Sequence, residues 1–136
     1  MENKNIRYTD KREYTSEQIH ALFKSVDWLS ADYPQRLFKA LNSCETVFTA
    51  WDEGRLIGLI NAIDDGELTA YVHYLLVDPE YQKLGVGKKL LDMVKEKYSN
   101  YLYLLLVAEN QGLIEYYEKN GFEKEKDTSV MVILKK

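Results

Sequence analysis

The stretch Gln82-Lys83-Leu84-Gly85-Val86-Gly87 decides how this chain is read. An apolar run, Tyr74-Leu75-Leu76-Val77, and the turn Asp78-Pro79 precede it. A helical pattern follows, with Leu90, Leu91, Val94 and Tyr98 on one face. The order is therefore strand, glycine-bearing loop, helix N-terminus. The first turn of a helix carries unpaired N–H groups and a partial positive charge. Glycine lets the backbone approach a ligand closely, so the segment suits a phosphate. A tight strand-to-helix turn with no ligand is the plainer alternative. No Gly-Lys-Ser/Thr follows at P-loop spacing. The third glycine and the distal acidic residue of a dinucleotide fingerprint are also missing.

A second motif raises the first above a generic turn. An apolar strand, Tyr101 to Ala108, leads to Asn110 and a helical segment ending Tyr117-Glu118-Lys119-Asn120-Gly121-Phe122. The combination Q-x-x-G-x-G, strand, N-x6-Y-x-K-x-G-F resembles the GNAT superfamily of acetyl-CoA-dependent N-acetyltransferases. The likeness is close over about residues 70–125; upstream only the order of elements agrees.

The resemblance implies acetyl-CoA as cosubstrate and assigns roles residue by residue. Gln82, Lys83, Leu84, Gly85, Val86, Gly87 and Lys88 would surround the pyrophosphate, chiefly through backbone amides. Leu75, Leu76 and Val77 would meet the pantetheine arm where their strand splays from the next parallel one. Asn110 and Tyr117 would lie beside the pantetheine and the thioester. Tyr117 would be the general acid, since a phenol keeps its proton at neutral pH and can give it to a departing thiolate. Tyr116 faces about 100° away on the same helix. Ordinary amphipathic packing is the alternative for both tyrosines, a solvent-facing position for Lys88, and an N-cap for Asn110.

His73 is the candidate base or water-positioning residue, because imidazole titrates near neutrality. Strict alternation puts Tyr71, His73 and Leu75 on one face of a strand. Relatives resembling the serotonin-type arylalkylamine acetyltransferases carry histidines at the positions matching Tyr71 and His73. Histone-type relatives carry a glutamate matching Tyr71. Tyrosine stands there in this chain, which leaves no direct carboxylate base. Tyr71, Trp28, Tyr33 and Trp51 are candidates for the substrate wall, with core or rim packing as the competing role.

The 136 residues suit one domain, expected to span residues 1–136. With 46% hydrophobic and 29% charged residues, a soluble globular protein is expected. No apolar run reaches the ~18 residues of a membrane span, and Met1-Glu2-Asn3-Lys4-Asn5 lacks a leader's apolar core. One cysteine, Cys44, excludes an internal disulfide and fits a reducing cytoplasm, where it would act as a buried small hydrophobe. With two histidines besides, no metal site is expected. The net charge of −4 argues against nucleic acid as a partner. Residues 1–79 hold 8 Lys and Arg against 13 Asp and Glu, whereas residues 80–136 hold 10 against 9. The phosphate-loop half suits a polyanionic cofactor, and the acidic half an amine. A solvated surface without steering is the alternative.

Along the chain the pattern predicts a strand at Ile6–Thr9, a helix capped by Ser16 and running to about Val26, and a second helix opened by Asp32-Tyr33-Pro34. Strands follow at Thr46–Trp51, Arg55–Ile63 and Glu67–Val77, joined by the turns Asp52-Glu53-Gly54 and Asp64-Asp65-Gly66. The next helix runs from about Gly85 to Tyr98. Tyr101–Ala108, apolar almost throughout, reads as a central strand covered on both faces. The last helix is capped by Asn110 and ended by Gly121, and a closing hairpin of Phe122–Lys124 and Thr128–Leu134 completes the order. Such a hairpin could pair across a homodimer edge. The fold class expected is α/β (α+β): a GNAT-like mixed, mostly antiparallel sheet of about seven strands with about four helices on both faces. Function then divides between acetyl transfer from acetyl-CoA to a primary amine and a non-catalytic acyl-CoA-binding module. The presence of both Asn110 and Tyr117 favours the enzyme.

Overall fold

A computed structural model describes residues 5–134. Residues 1–4, on which the reading of the N-terminus largely rests, lie outside them. Two compact units form, one through Leu105 and one from Leu106 onward. In chain order the elements are β1 (Ile6–Thr9), α1 (Ser16–Ser25), a 3-10 turn (Leu29–Asp32), α2 (Pro34–Ser43), β2 (Thr46–Asp52), β3 (Arg55–Asp64) and β4 (Thr69–Val77). A second 3-10 turn (Pro79–Tyr81), α3 (Val86–Lys97), β5 (Tyr103–Leu106) and α4 (Gln111–Lys119) follow. The sheet order is β1-β2-β3-β4-β5, and the first three pairings are antiparallel. The Tyr103 N–H donates to the Leu68 carbonyl at 2.9 Å, just before β4 begins. From there β5 lies beside β4, so it runs in the same direction and the β4–α3–β5 crossover joins parallel strands.

Helices cover both faces of the sheet. On one face Ile19, Leu22 and Phe23 of α1 and Leu37 and Leu41 of α2 pack with Val47, Trp51, Leu59 and Leu76. On the other lies α3. A Cβ built on Gly58 would stand 3.0 Å from Val86 Cγ1 and 3.3 Å from Leu90 Cδ1, so β3 has no side chain where the start of α3 presses on it. Arg12 fastens the entry to α1 onto the end of α2. Its guanidinium donates to the carbonyls of Leu41 at 2.8 Å and Asn42 at 3.0 Å, and to that of Cys44.

Three sequence expectations are corrected. Thr15, not Ser16, caps α1: its hydroxyl accepts from the Gln18 N–H and the Gln18 side chain accepts from the Thr15 N–H, a capping box. The box outcompetes Ser16, which becomes the first helical residue. The strand read as Tyr101–Ala108 is shorter and lies at an edge of the sheet, with Tyr103 53% and Leu105 45% exposed. The closing hairpin Phe122–Lys124 and Thr128–Leu134 forms no ladder, which leaves five strands instead of seven among the described residues. A turn does fall at Asp127, with φ 57°. β-propensity is a fit to a half-buried pleated surface. Val130–Leu134 has the propensity without the surface, each residue being 63% or more exposed.

Candidate active site

The junction between β4 and α3 is built as the sequence reading expects. Asp78 caps the 3-10 turn through a 2.9 Å bond from the Glu80 N–H, and its other oxygen takes the Arg55 guanidinium at 3.0 Å. Tyr81, the last residue of this turn, is buried and donates its hydroxyl to Asp52 at 2.5 Å. The Gln82 side chain donates back to the Val77 carbonyl at 3.1 Å, tying loop to strand. Lys83 and Gly85 both have positive φ, 70° and 81°. Gly85 is the N-cap of α3 and makes no side-chain cap, so the first N–H groups of α3 are not capped by its own side chain. Gly87 lies within the first turn of the helix. Lys88 pairs with Asp92 at 2.8 Å, an i,i+4 contact along the outside of α3.

β4 is nine residues long and β5 four. Starting opposite Leu68, β5 reaches alongside only the first half of β4, roughly to Val72 at ~3.3 Å per residue. Leu75, Leu76 and Val77 extend past it while remaining paired to β3. This is the segment in which the resemblance implies a strand that splays from its neighbour.

His73 occupies a special position. Asn61 and Ala62 are consecutive on β3 but face Tyr74 and Val72, so His73 is the extra residue of a β-bulge. The strict alternation expected for Tyr71, His73 and Leu75 is thereby broken. His73 stacks on Tyr71, centroids 5.7 Å apart, and also on its neighbour Tyr74 at 4.0 Å. Leu75 is consequently turned to the opposite face. His73 reaches solvent, yet partial burial of the ring lowers its pKa from the ordinary 6.5. The shift favours the neutral imidazole.

Tyr74 anchors this row. Its hydroxyl bonds the Ser30 hydroxyl at 2.6 Å, and its ring meets Phe23 edge-on at 4.9 Å and Trp28 at 5.5 Å. Trp28 is thus committed largely to packing, and Trp51 entirely so: it is 3% exposed and donates its indole N–H to Thr49 at 2.9 Å. Tyr33 stands 48% exposed under the Arg36 guanidinium. Sequence reading passed over Asn61, which is 2% exposed and accepts the Tyr74 N–H at 2.8 Å. The available signal was one amide in the otherwise apolar run Leu56–Ile63, since a buried polar group must be bonded. Cys44 is half-buried and takes the Asn61 amide at 3.1 Å on its sulfur.

In the second unit, Asn110 caps α4 with its side chain, Oδ1 accepting the Leu113 N–H at 2.9 Å. The N-cap expected of Asn110 is therefore formed by its side chain. Tyr117 is buried, with its ring edge-on to Tyr116 at 5.4 Å and Phe122 at 5.7 Å. Burial, with smaller contributions from Tyr116 and Glu109, pushes its pKa up to about 12. It is a fully protonated phenol at neutral pH. Gly121 closes the helix at φ 96°, as expected.

A groove of about 550 Å³ runs along α3 beside Phe48, Lys89, Met93 and Lys97. It includes none of the residues the motifs single out and has no apparent part in the chemistry. No helix among the described residues is long and apolar enough to cross a membrane.

A mostly antiparallel sheet whose long fourth strand leads through a glycine loop into a helix is the fold shared with the acetyltransferases. Residues 11–122 match the Acetyltransferase (GNAT) family, and the chain belongs to it. A GNAT acetyltransferase, SP0256 from Streptococcus pneumoniae TIGR4, superposes with a TM-score of 0.84 at 24% identity over 96% of this chain and 98% of that one. An aminoglycoside acetyltransferase, meta-AAC0020 from an uncultured soil sample, solved with sisomicin, gives 0.73 at 21% identity over 96% and 97%. N-alpha-acetyltransferase 60 of Xenopus tropicalis is 26% identical over 72% of this chain and 52% of its own length. Histone acetyltransferase TAP1 of Glycine max is 34% identical over 53% of this chain and 32% of its own. The chain spans about half or less of these curated relatives.

Proposed function

We infer that the chain transfers an acetyl group from acetyl-CoA to a primary amine by direct attack in a ternary complex. The observation that carries this reading is β4 running past β5 into the left-handed Gly85 loop at the start of α3. In this reading the backbone of Leu75, Leu76 and Val77 holds the pantetheine arm. The amides of Lys83 through Gly87, with Gln82 and Lys88 at the margin, hold the pyrophosphate. The amine nitrogen attacks the thioester carbonyl carbon and the C–S bond then breaks. Tyr117 gives its phenolic proton to the departing thiolate, and Asn110 lines the pantetheine. Neutral His73, or water that it orients, accepts the proton of the amine. Tyr71, Tyr33 and the exposed edge of Trp28 form the acceptor wall.

Residues 1–136 act as one N-acetyltransferase domain on this account. The relatives act, by their names, on protein termini, histones and aminoglycosides, so the acceptor class common to them is the primary amine. The acidic balance of residues 1–79 favours a cationic one. A small-molecule, polyamine, arylalkylamine or lysine acceptor all satisfy it. The lone thiol of Cys44 suits a reducing cytoplasm.

The test is release of free thiol from acetyl-CoA with pooled amines, beside the melting temperature with acetyl-CoA alone. Amine-dependent thiol release supports the reading. A melting shift with no release from any pool would reassign the chain to acyl-CoA binding without catalysis.

A further inference from the structure

Asn61 is a buried polar residue in the middle of an apolar strand, and the bulge explains its presence. An extra residue in β4 takes one position out of the regular ladder. At that position the Tyr74 N–H donates to the Asn61 side chain, Oδ1, at 2.8 Å. The other end of the amide donates to Cys44 Sγ at 3.1 Å, which fixes the amide with its oxygen toward β4. Asn61 is 2% exposed, so both ends are satisfied away from water.

We propose that Asn61 is a positioning residue that pins the β4 bulge and thereby sets the plane of the His73 imidazole. Asn61 holds the Tyr74 backbone. The Tyr74 ring is held by Phe23, Trp28 and the Ser30 hydroxyl. His73 lies flat on that ring, 18° from parallel, and also stacks with Tyr71 at 5.7 Å. Removing the amide oxygen would take the side-chain acceptor from a half-buried N–H at the bulge, so the bulge would slip or breathe and the stacking would loosen. A slip by one residue would restore regular alternation and rotate His73 away. The effect on turnover rests on the reading of His73 as the group that meets the acceptor amine. The effect on the bulge does not.

The chain has only two histidines, so the ring protons of His73 are readily assigned by NMR. Asn61→Leu keeps the shape and removes the acceptor; Asn61→Asp keeps the acceptor. In Asn61→Leu the Tyr74 amide should exchange with solvent at least tenfold faster. The upfield ring-current shift of His73 should shrink, and kcat should fall about tenfold with the KM for acetyl-CoA within twofold. Asn61→Asp should retain most of the His73 shift and of kcat. If Asn61→Leu does not fold, Asn61→Ala is judged on the same signals. Parental His73 shifts and Tyr74 protection in a folded variant would overturn the proposal; altered signals with unchanged kcat would keep Asn61 as the residue that pins the bulge and overturn His73 as the group that meets the amine. If the parent itself acetylates no amine, the proposed function fails instead, and the two NMR signals alone decide whether Asn61 holds the bulge.

Discussion

The His73 imidazole lies on the Tyr74 phenol with ring centroids 4.0 Å apart, although the two residues are neighbours on one strand. Regular strand geometry sends neighbours to opposite faces. The contact is therefore a direct product of the bulge, and it sets the electrostatics of the candidate base. Stacked and partly desolvated, the imidazole loses more by being charged than it would in water.

That desolvation gives the pH profile a definite sign. If His73 accepts the amine proton, kcat/KM should fall on the acid side, with a midpoint below the ordinary 6.5. His73→Ala should remove that limb and recover in part at high pH, where unprotonated amine is abundant. The same depressed pKa means that the unfolded chain binds the proton more readily than the folded one. Stability from this group therefore rises as pH climbs from the folded pKa toward 6.5 and is level above it. A parental pH profile in His73→Ala would point to water or another group as the base.

Tyr117→Phe removes one hydroxyl and keeps the ring. With its pKa pushed up to about 12 the phenol holds its proton across the neutral range, and burial makes it a weaker donor than a free phenol, so its transfer relies on the charge developing on the departing thiolate. Loss of a general acid typically slows chemistry by about 10²–10⁴-fold, and kcat should drop by that much while acetyl-CoA binding is nearly kept. Tyr116→Phe on the adjacent face should do little. Steady-state kinetics on the pair decide it, because small and equal effects would make both tyrosines packing residues.

Gly85→Val places a β-branched residue at φ 81°, where L side chains are strained, although no atom lies within 4 Å of the new Cβ. The loop should deform and its amides should lose their aim. The acetyl-CoA dissociation constant should rise tenfold or more, ~1.4 kcal/mol, in a variant that still folds. Calorimetry gives the constant, and an unchanged value in a folded variant would remove the loop from the cofactor site.

Tyr98→Phe should act on stability alone. The hydroxyl bridges the buried Thr46 hydroxyl and the Asp64 carboxylate, the latter at 2.7 Å, and so clamps the end of α3 to β2 and β3. Leaving those partners unsatisfied should cost about 1–3 kcal/mol. Thermal unfolding should register that loss, while kcat and KM should hold.

Features set by local chemistry were legible in the sequence. Apolar runs bounded by turn residues located β1 to β4, the 3.6-residue period located α1 to α3, and Gly121 marked a left-handed position. Features set by pairing were not. His73 is an ordinary strand residue until β3 fixes the register opposite it, and Asn61 acquires its task only from that register. Tyr101–Ala108 is apolar enough for a central strand, but position in a sheet depends on which neighbours are supplied. The Val130–Leu134 run carries β-propensity with no ladder. Ser16 and Thr15 are equivalent as caps by residue type, and Gln18 favours the one three residues before it.

Gly58 couples mechanics across the sheet. With a hydrogen where every other residue type has a methyl or more, β3 lets Val86 come to within contact of its backbone, and Val86 is the first residue of the helix that follows the Gly85 loop. The strand thus acts as a shim of fixed thickness beneath the helix. Thickening it by one carbon, as in Gly58→Ala, would lift the helix start by a few tenths of an ångström and carry the loop with it. A change made on the sheet, with no exposure to ligand, would then present itself to a biochemist as weakened cofactor affinity.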